Sequence, residues 1–292
     1  MATRELLAQA EELRARRRPF VLATVVRVQR PTSAKPGDCA LVLPDGTIEG
    51  FVGGGCAEST VRLQGVRLLG TGRSTLLRIT PEAGQERVEE GVVTVGNPCL
   101  SGGTLEIFLE AQLPPALVVV FGDAPVARAL VSTGRALGYD VRAGGAIPDD
   151  ADAVIVASHG RDEDKQLREA VAAGIGYIGL IASRRRGRAV LATLDIDRGR
   201  VHTPAGLDIG ARTPAEIAVS VYAEIIAARP RGTTPEPAAV PEPAEALDPV
   251  CGMTVAITKD TPQFSHAGRP YYFCGPGCRQ AFADEPERYV DA

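Results

Sequence analysis

The chain has 292 residues, of which 45% are hydrophobic and 23% are charged, and it carries a formal net charge of −4 at pH 7. This apolar fraction excludes wholesale disorder, and the length predicts two domains, or three if one of them is small. The acidic balance argues against a nucleic-acid binder, and the longest apolar runs are far too short to span a membrane.

Residues 1–18 mix acidic and basic side chains and contain no apolar core of the kind found in secretory signals. The chain also holds six cysteines. Without a secretory signal, cysteines serve as ligands or reactive groups more often than as disulfides. We therefore expect a cytoplasmic protein whose thiols have a chemical role.

Residues 1–113 have the pattern of a mixed, β-rich α+β domain. Alternating apolar residues predict strands, and Asp45-Gly46 marks the turn of a hairpin. The expected elements are a strand at 20–28, a hairpin at 40–52, a helix at 57–69 and a strand at 104–109. The pattern changes at Pro114-Pro115, where we place the domain boundary.

Residues 114–229 alternate short apolar runs with amphipathic segments. Strands are expected at 117–121, 139–142, 153–157 and 176–181, and helices at 125–137, 163–173, 184–194 and 214–228. This alternation is typical of a Rossmann-like, doubly wound parallel sheet in an α/β fold.

Two features of this half bear on ligand binding. The turn after the first strand, GDAPVA at 122–127, is not a G-x-G-x-x-G fingerprint, and strand 139–142 has no acidic residue at its end to hold a ribose hydroxyl. Dinucleotide binding is therefore disfavoured. The second feature is the segment Ser183, Arg184 and Arg185, which follows a predicted strand and opens a helix. It is a candidate for holding an anionic group, and the alternative is a run of solvated arginines.

Residues 230–247 contain five prolines and no periodic apolar pattern, which predicts a semi-rigid linker. The last 45 residues, 248–292, hold three of the six cysteines. So small a unit usually needs a metal, disulfides or a partner to be stable.

Two glycine-rich segments of the first domain each carry a cysteine. The first segment consists of Gly53, Gly54, Gly55 and Cys56, and it connects a predicted strand to a predicted helix. Backbone amides at the start of a helix can hold an anion, and the helix dipole favours a thiolate there. The second precedes a strand: Cys99, Ser101, Gly102 and Gly103. Together they predict one pocket for a ligand with phosphate and soft-metal character; the alternative is a pair of tight turns with small buried cysteines.

The C-terminal cysteines have the spacing of a tetrahedral soft-metal site. Cys274 and Cys278 lie close in sequence with small residues between them, and Cys251 is a distant partner. His266 is a possible fourth ligand, or else a packing residue. Thiolates accept both zinc and copper, and the site is either a purely stabilising zinc site or a site for metal handling.

Several motifs in order are similar to the XdhC/CoxI family, accessory proteins of molybdenum hydroxylases. They are RPFVLATVV at 18–26, SAKPGD at 33–38, VGGGCAE at 52–58, SGGTLE at 101–106, YIGLIASRRR at 177–186 and PAGLDIGA at 204–211. The resemblance implies that the protein binds the molybdenum cofactor, protects it during sulfuration and inserts it into an apo molybdenum hydroxylase. It further implies that a cysteine at position 99 touches the cofactor.

The C-terminal segment closely resembles the YHS domain, a small treble-clef-like module that binds heavy metals. The resemblance rests on DPVCGM at 248–253 and YYFC at 271–274, with Phe282, Pro286 and Tyr289. If the client is of the carbon monoxide dehydrogenase type, copper suits this module.

No catalytic constellation is recognisable, since none of the three histidines lies in a motif that supplies a base. We therefore expect a non-enzymatic cofactor chaperone, homodimeric, with an apo molybdenum hydroxylase and a cofactor sulfurase as partners. The alternatives are an NAD(P)-dependent oxidoreductase built on the Rossmann-like half, and a metal sensor or trafficking protein that acts through the YHS module.

Overall fold

The computed structural model describes residues 3–82, 86–97, 103–228 and 243–290. They form two compact units: residues up to 114 together with the C-terminal segment make the first, and residues from 115 to 228 make the second. Among the described residues, no helix is both long and apolar enough to cross a bilayer.

The first unit opens with a seven-stranded sheet and two helices. The elements are α1 (Thr3–Ala15), β1 (Phe20–Gln29), β2 (Cys39–Val42), β3 (Ile48–Gly50), α2 (Gly55–Thr71), β4 (Thr75–Thr80), β5 (Arg87–Glu89), β6 (Val92–Gly96) and β7 (Thr104–Gln112). The strand order is β3-β2-β1-β7-β4-β6-β5. The predicted strand, hairpin, helix and second strand are all confirmed, the hairpin by antiparallel pairing of β2 with β3.

The second unit is a five-stranded sheet flanked by four helices. The elements are β8 (Leu117–Phe121), α3 (Pro125–Ala136), β9 (Asp140–Ala143), β10 (Ala153–Val156), α4 (Glu163–Ala172), β11 (Tyr177–Leu180), α5 (Arg184–Ala192), a 3₁₀ turn (Arg198–Arg200), β12 (Val201–His202) and α6 (Pro214–Ala228). All pairings are parallel, in the order β12-β11-β10-β8-β9.

Helices cover both faces of this second sheet, which confirms the doubly wound architecture. Leu130 of α3 and Tyr222 of α6 belong to the core on one face, and Leu167 of α4 and Leu191 of α5 to the core on the other. Strands buried on both faces explain the nearly continuous apolar runs in the sequence.

The chain ends in a small module, residues 243–290, which we call the tail. Its elements are β13 (Glu245–Leu247), β14 (Thr254–Ala256), β15 (Gln263–His266), β16 (Arg269–Tyr272), α7 (Pro276–Asp284) and α8 (Glu287–Val290). Two hairpins, β13 with β14 and β15 with β16, precede the helices. The buried ring of Phe282 is the centre of an aromatic cluster that includes Phe264, Tyr271, Phe273 and Tyr289.

The tail differs from the sequence prediction in two ways. Most of the predicted linker lies outside the described residues, but its end forms β13, so the module begins before 248. The tail also contacts the first domain, which the sequence does not predict. It packs against helix α2 of the first domain, and the two therefore belong to the same compact unit.

Helix α2 is buried on two opposite faces. Its inner face contributes Ala57, Val61 and Leu69 to the core of the first domain. Gly65 sits so close to the sheet that a Cβ there would lie 2.9 Å from Val42 Cγ1, so glycine allows the helix to lie directly on β2.

The outer face of α2 carries Cys56, Thr60, Leu63 and Arg67, which are spaced so that all four share one side of the helix. This stripe meets the tail. Cys56 packs into the tail's apolar cluster, and the Arg67 guanidinium donates to both carboxylate oxygens of Glu245 at 2.9 Å each. Thr60 and Leu63 are buried. The tail therefore covers a surface that the first domain could not bury alone.

Candidate metal centre and glycine-loop pocket

The glycine loop leads directly into α2. Gly53 has a φ of +141°, a conformation that favours glycine, and a Cβ on it would lie 3.1 Å from Ala57 Cβ. Gly54 is the N-cap residue and supplies no side-chain hydrogen bond to the helix, while a Cβ on it would meet nothing within 4 Å. The first amides of α2 therefore have no side-chain cap, and space is open beside them.

A pocket adjoins this helix start. Its described lining encloses about 150 Å³ and includes Gly54, Gly55, Cys56, Thr32 and Ser33. Gly103 of the second glycine segment and nearby Asn97 also line it. Cys99, Ser101 and Gly102 lie outside the described residues. Gly103 packs tightly, since a Cβ there would lie 2.1 Å from the carbonyl oxygen of Pro31. Both glycine segments thus border one pocket.

Three cysteines of the tail come together with one carboxylate. Cys251, Cys274, Cys278 and Asp248 place their ligand atoms within 4.8 Å of one another. Cys274 Sγ lies 3.7 Å from Cys251 Sγ and 3.6 Å from Cys278 Sγ. A tetrahedral zinc site with bonds of about 2.3 Å has sulfur–sulfur edges of about 3.8 Å, so these distances suit a metal.

Asp248 organises this cluster. It is fully buried, and its two oxygens accept hydrogen bonds from the backbone N–H groups of Val250, at 2.9 Å, and Cys274, at 2.8 Å. The carboxylate thereby ties the turn before Cys251 to the strand end that carries Cys274. Asp248 is not among the residues predicted from the sequence to form the metal site, although its place at the start of DPVCGM is a signal that points to it.

His266 does not join the cysteines. Its Nε2 lies 3.3 Å from a carboxylate oxygen of Glu287, and its ring packs edge-on against Phe282, 6.2 Å between centroids. Because it lies on β15 against the aromatic cluster, it corresponds to the packing alternative.

A fourth sulfur approaches from the first domain. Cys56 Sγ lies 3.7 Å from Cys274 Sγ, the same separation as that between Cys274 and Cys251. The sequence assigned Cys56 to the pocket alone, because no sequence signal joins positions that are 218 residues apart.

Without a cation, the cluster strongly resists full ionisation. The hydrogen bond from Cys274 lowers the pKa of Cys251, while hydrogen bonds to Cys251 and Cys56, together with burial, raise the pKa of Cys274. Burial, followed by the charges of Asp248 and Cys251, raises the pKa of Cys278 to about 12. The protein alone thus favours one thiolate, and a bound metal would supply the positive charge that the others need.

The second unit has its own cleft at the carboxyl edge of its sheet, with a volume of about 630 Å³. Ser183 and Arg184 line it, whereas Arg185 is exposed and is not part of the lining. Ser183 caps α5 by accepting from the N–H of Arg186 at 3.3 Å, and Arg184 pairs with Asp208 at 3.2 Å. His159 also lines this cleft.

Glu224 hydrogen-bonds the backbone of Gly206, which lines the cleft. It accepts hydrogen bonds from the Tyr177 hydroxyl at 2.6 Å and the Gly206 N–H at 2.7 Å, and it lies 3.1 Å from His202 Nδ1. Burial opposes its ionisation, but these hydrogen bonds outweigh burial and hold the pKa of Glu224 below its usual value. Burial, helped by Glu224, raises the pKa of Tyr177.

Replacing Glu224 by Gln is expected to lower the stability of the second unit by about 1–3 kcal/mol at pH 7, because hydrogen bonds to a charged acceptor are lost. Since the folded pKa is lowered, this contribution is present above the unfolded value of about 4.3 and disappears as the pH falls through the folded pKa. The Glu224→Gln variant should therefore lose less stability than the parent between pH 6 and pH 3 in denaturant titrations.

The control for this experiment is Glu169→Gln, on an exposed position of α4. It should leave stability at pH 7 nearly unchanged. Equal losses for the two variants at pH 7 would contradict a structural role for the Glu224 hydrogen bonds.

Comparison with protein families finds three matches along the chain. Residues 13–80 match the XdhC and CoxI family, residues 118–225 match the XdhC Rossmann domain, and residues 246–292 match the YHS domain. The match from residue 246 agrees with the early start of the tail at β13.

Three relatives illustrate these matches. "Uncharacterized protein YqeB" of Escherichia coli (strain K12) is 27% identical over 76% of this chain and 46% of its own length. A protein of Bacillus subtilis (strain 168), named as a probable subunit of xanthine dehydrogenase, is 40% identical over 27% of this chain and 24% of its own. "Copper-transporting P-type ATPase" of Rhizobium leguminosarum bv. viciae is 49% identical over 15% of this chain and 5% of its own.

The chain spans less than half the length of each of these relatives. The first of them is similar along most of this chain, and the ATPase match has the length of the tail alone. The family matches thus place segments similar to XdhC proteins first along the chain and a segment similar to the YHS domain at its end.

Proposed function

We propose that this protein is a cytoplasmic maturation factor that binds the molybdenum cofactor and delivers it to an apo molybdenum hydroxylase of the xanthine dehydrogenase or carbon monoxide dehydrogenase type. The family composition supports this role, as does the Bacillus subtilis relative, whose name places it with xanthine dehydrogenase. The observation that carries it is the pocket where two glycine segments meet beside a cysteine at a helix start.

The pocket residues fit the chemistry of such a ligand. The uncapped amides at the start of α2 suit a phosphate, and the hydroxyls of Thr32 and Ser33 add further hydrogen-bonding groups. Cys56 offers a thiol at a position where the helix dipole favours the thiolate. When bound, the cofactor would supply a phosphate group and a thiophilic metal.

The chain's own residues would then bind and orient rather than catalyse. Gly54 leaves room for close approach of the ligand to the backbone, and Asn97 also lines the pocket. Cys99, two positions after Asn97 in the sequence, is assigned to the same pocket by the family resemblance.

The tail, in the same proposal, binds a soft metal through Cys251, Cys274 and Cys278. The sulfur separations of 3.6 and 3.7 Å support this assignment. Zinc and Cu(I) both suit thiolates, so metal analysis of the purified full chain decides between them.

Replacement of Cys56 or Cys99 by Ser is expected to weaken binding of the molybdenum cofactor by at least about tenfold, since each change removes a thiolate from the pocket. The measurement is retention of cofactor by the full chain, followed by pterin and molybdenum analysis. Cys39→Ser, a thiol on β2, is the matched control and should bind as the parent does. Parental affinity in both the Cys56 and the Cys99 variants would exclude this pocket.

The oxidoreductase alternative makes an opposite prediction. It requires a nucleotide in the cleft of the second unit, where Gly122 serves packing rather than a phosphate fingerprint. A titration with NADH or NADPH that produced saturable binding would favour it over the maturation role.

A further inference from the structure

We propose that Cys56 is the fourth ligand of the tail's metal, so that one thiophilic cation is held by Cys56, Cys251, Cys274 and Cys278 and joins the first domain to the YHS domain. This inference rests on the metal binding proposed above for the tail, and it uses the same Cys56 thiol that lines the pocket, so zinc binding and cofactor binding are measured separately.

The sulfur geometry is the first argument. Cys274 Sγ has three sulfur neighbours at 3.6 to 3.7 Å, one of which is Cys56. These separations match the edges of a tetrahedron of thiolates around zinc, which are about 3.8 Å. Structural zinc sites are closed by four protein ligands, so a site with three tail cysteines calls for one more.

Asp248 is less suited to complete the site. Its carboxylate is buried and already accepts two backbone N–H groups, those of Val250 and Cys274. A metal bound to either oxygen would have to share that oxygen with a backbone N–H. We therefore assign Asp248 to orienting Cys274, which leaves Cys56 as the ligand that closes the site.

The backbone around Cys56 is built for close approach of the two domains. Gly275 precedes α7, and a Cβ on it would lie 4.0 Å from both the backbone N and the Sγ of Cys56. From the other side, a Cβ on Gly55 would lie 3.7 Å from Pro276 Cδ. Gly55 and Gly275 are thus neighbours at the contact between the two domains, beside the Sγ of Cys56.

Electrostatics favours the complete site. Cys56 is in the first turn of α2, and Cys278 is in the first turn of α7. A zinc ion with four thiolates carries a net negative charge, which the positive ends of two helix dipoles stabilise. Helix α2 is also held to the tail further along, where Arg67 forms an ion pair with Glu245.

The test uses the full chain, loaded with zinc or with cobalt(II) in its place. X-ray absorption of the zinc form should show four sulfur ligands in the parent and three in Cys56→Ser. The thiolate-to-cobalt charge-transfer absorption should fall by about a quarter in Cys56→Ser, and zinc affinity by at least about tenfold. Cys39→Ser should leave the ligand count, the absorption and the affinity unchanged. Cys56→His should restore a four-ligand site, because histidine also binds zinc.

The Cys278→Ser variant separates this inference from the proposed function. If Cys278→Ser lowers zinc affinity while Cys56→Ser retains the parental affinity and cobalt spectrum, Cys56 is not a ligand and the tail binds its metal alone. If neither variant changes zinc binding, the metal site of the tail itself is wrong. Loss in both, with recovery in Cys56→His, supports the four-thiolate site.

Discussion

If the tail binds the metal proposed above, removal of that metal from the full chain is expected to unfold the tail while the second unit stays folded. The tail is a small module whose buried side chains are few, among them Met253, Val255, Phe273 and Phe282. Structural zinc contributes about 10 kcal/mol or more to domains of this size, so the remaining contacts cannot maintain the fold.

Hydrogen exchange measures this effect segment by segment. After chelation, the amide of Cys274, which donates to Asp248 in the folded tail, should exchange at the rate of an unstructured peptide. The amides of β8 should keep their protection, and zinc should restore that of the tail. Full protection of the tail in protein shown to be free of metal would contradict the prediction.

Replacement of Gly122 by Ala is expected to be among the most damaging single changes in the second unit, with a loss of more than about 3 kcal/mol. Gly122 has a φ of +119°, and a Cβ on it would lie 2.3 Å from the carbonyl oxygen of Ala157. Gly122 and Ala157 directly follow the neighbouring strands β8 and β10, and the clash would involve the backbone of Ala157. Relieving this clash would therefore require the two strands to separate.

Gly138→Ala is the matched control for this experiment. Gly138 also has a positive φ, +84°, but a Cβ there would meet nothing within 4 Å. This variant should therefore lose only about 1–2 kcal/mol, the cost of a left-handed alanine. Denaturant titration of the full chains, read by hydrogen exchange of β8 and β10, gives both values. Similar losses would mean that the clash is relieved at little cost.

The sequence predicted the second unit well because its strands have a clear local pattern. Runs such as Leu117–Phe121 are buried on both faces and separated by helices with clear apolar periodicity. In the first domain, β5 is exposed and β6 is half-buried along its whole length, so neither has an alternation to detect. Their positions come from pairing with neighbours in the sheet, which is a tertiary effect.

The candidate sites show the same limit. The tail cysteines and the pocket glycines are recognisable from local spacing. The approach of Cys56 to Cys274 is not, because it depends on how the tail packs on α2. A helix buried on two faces also has no single apolar stripe, so the sequence of α2 gives no warning that a partner covers its outer side.

The outer stripe of α2 has a practical consequence for anyone who divides this chain. Cutting between the second unit and the tail would uncover Leu63, which is only 3% exposed, and would place the thiol of Cys56 in water. The shortened protein would then expose an oxidisable cysteine next to a hydrophobic surface, and this combination promotes self-association. The chain with its tail attached is therefore the proper starting material for work on the pocket.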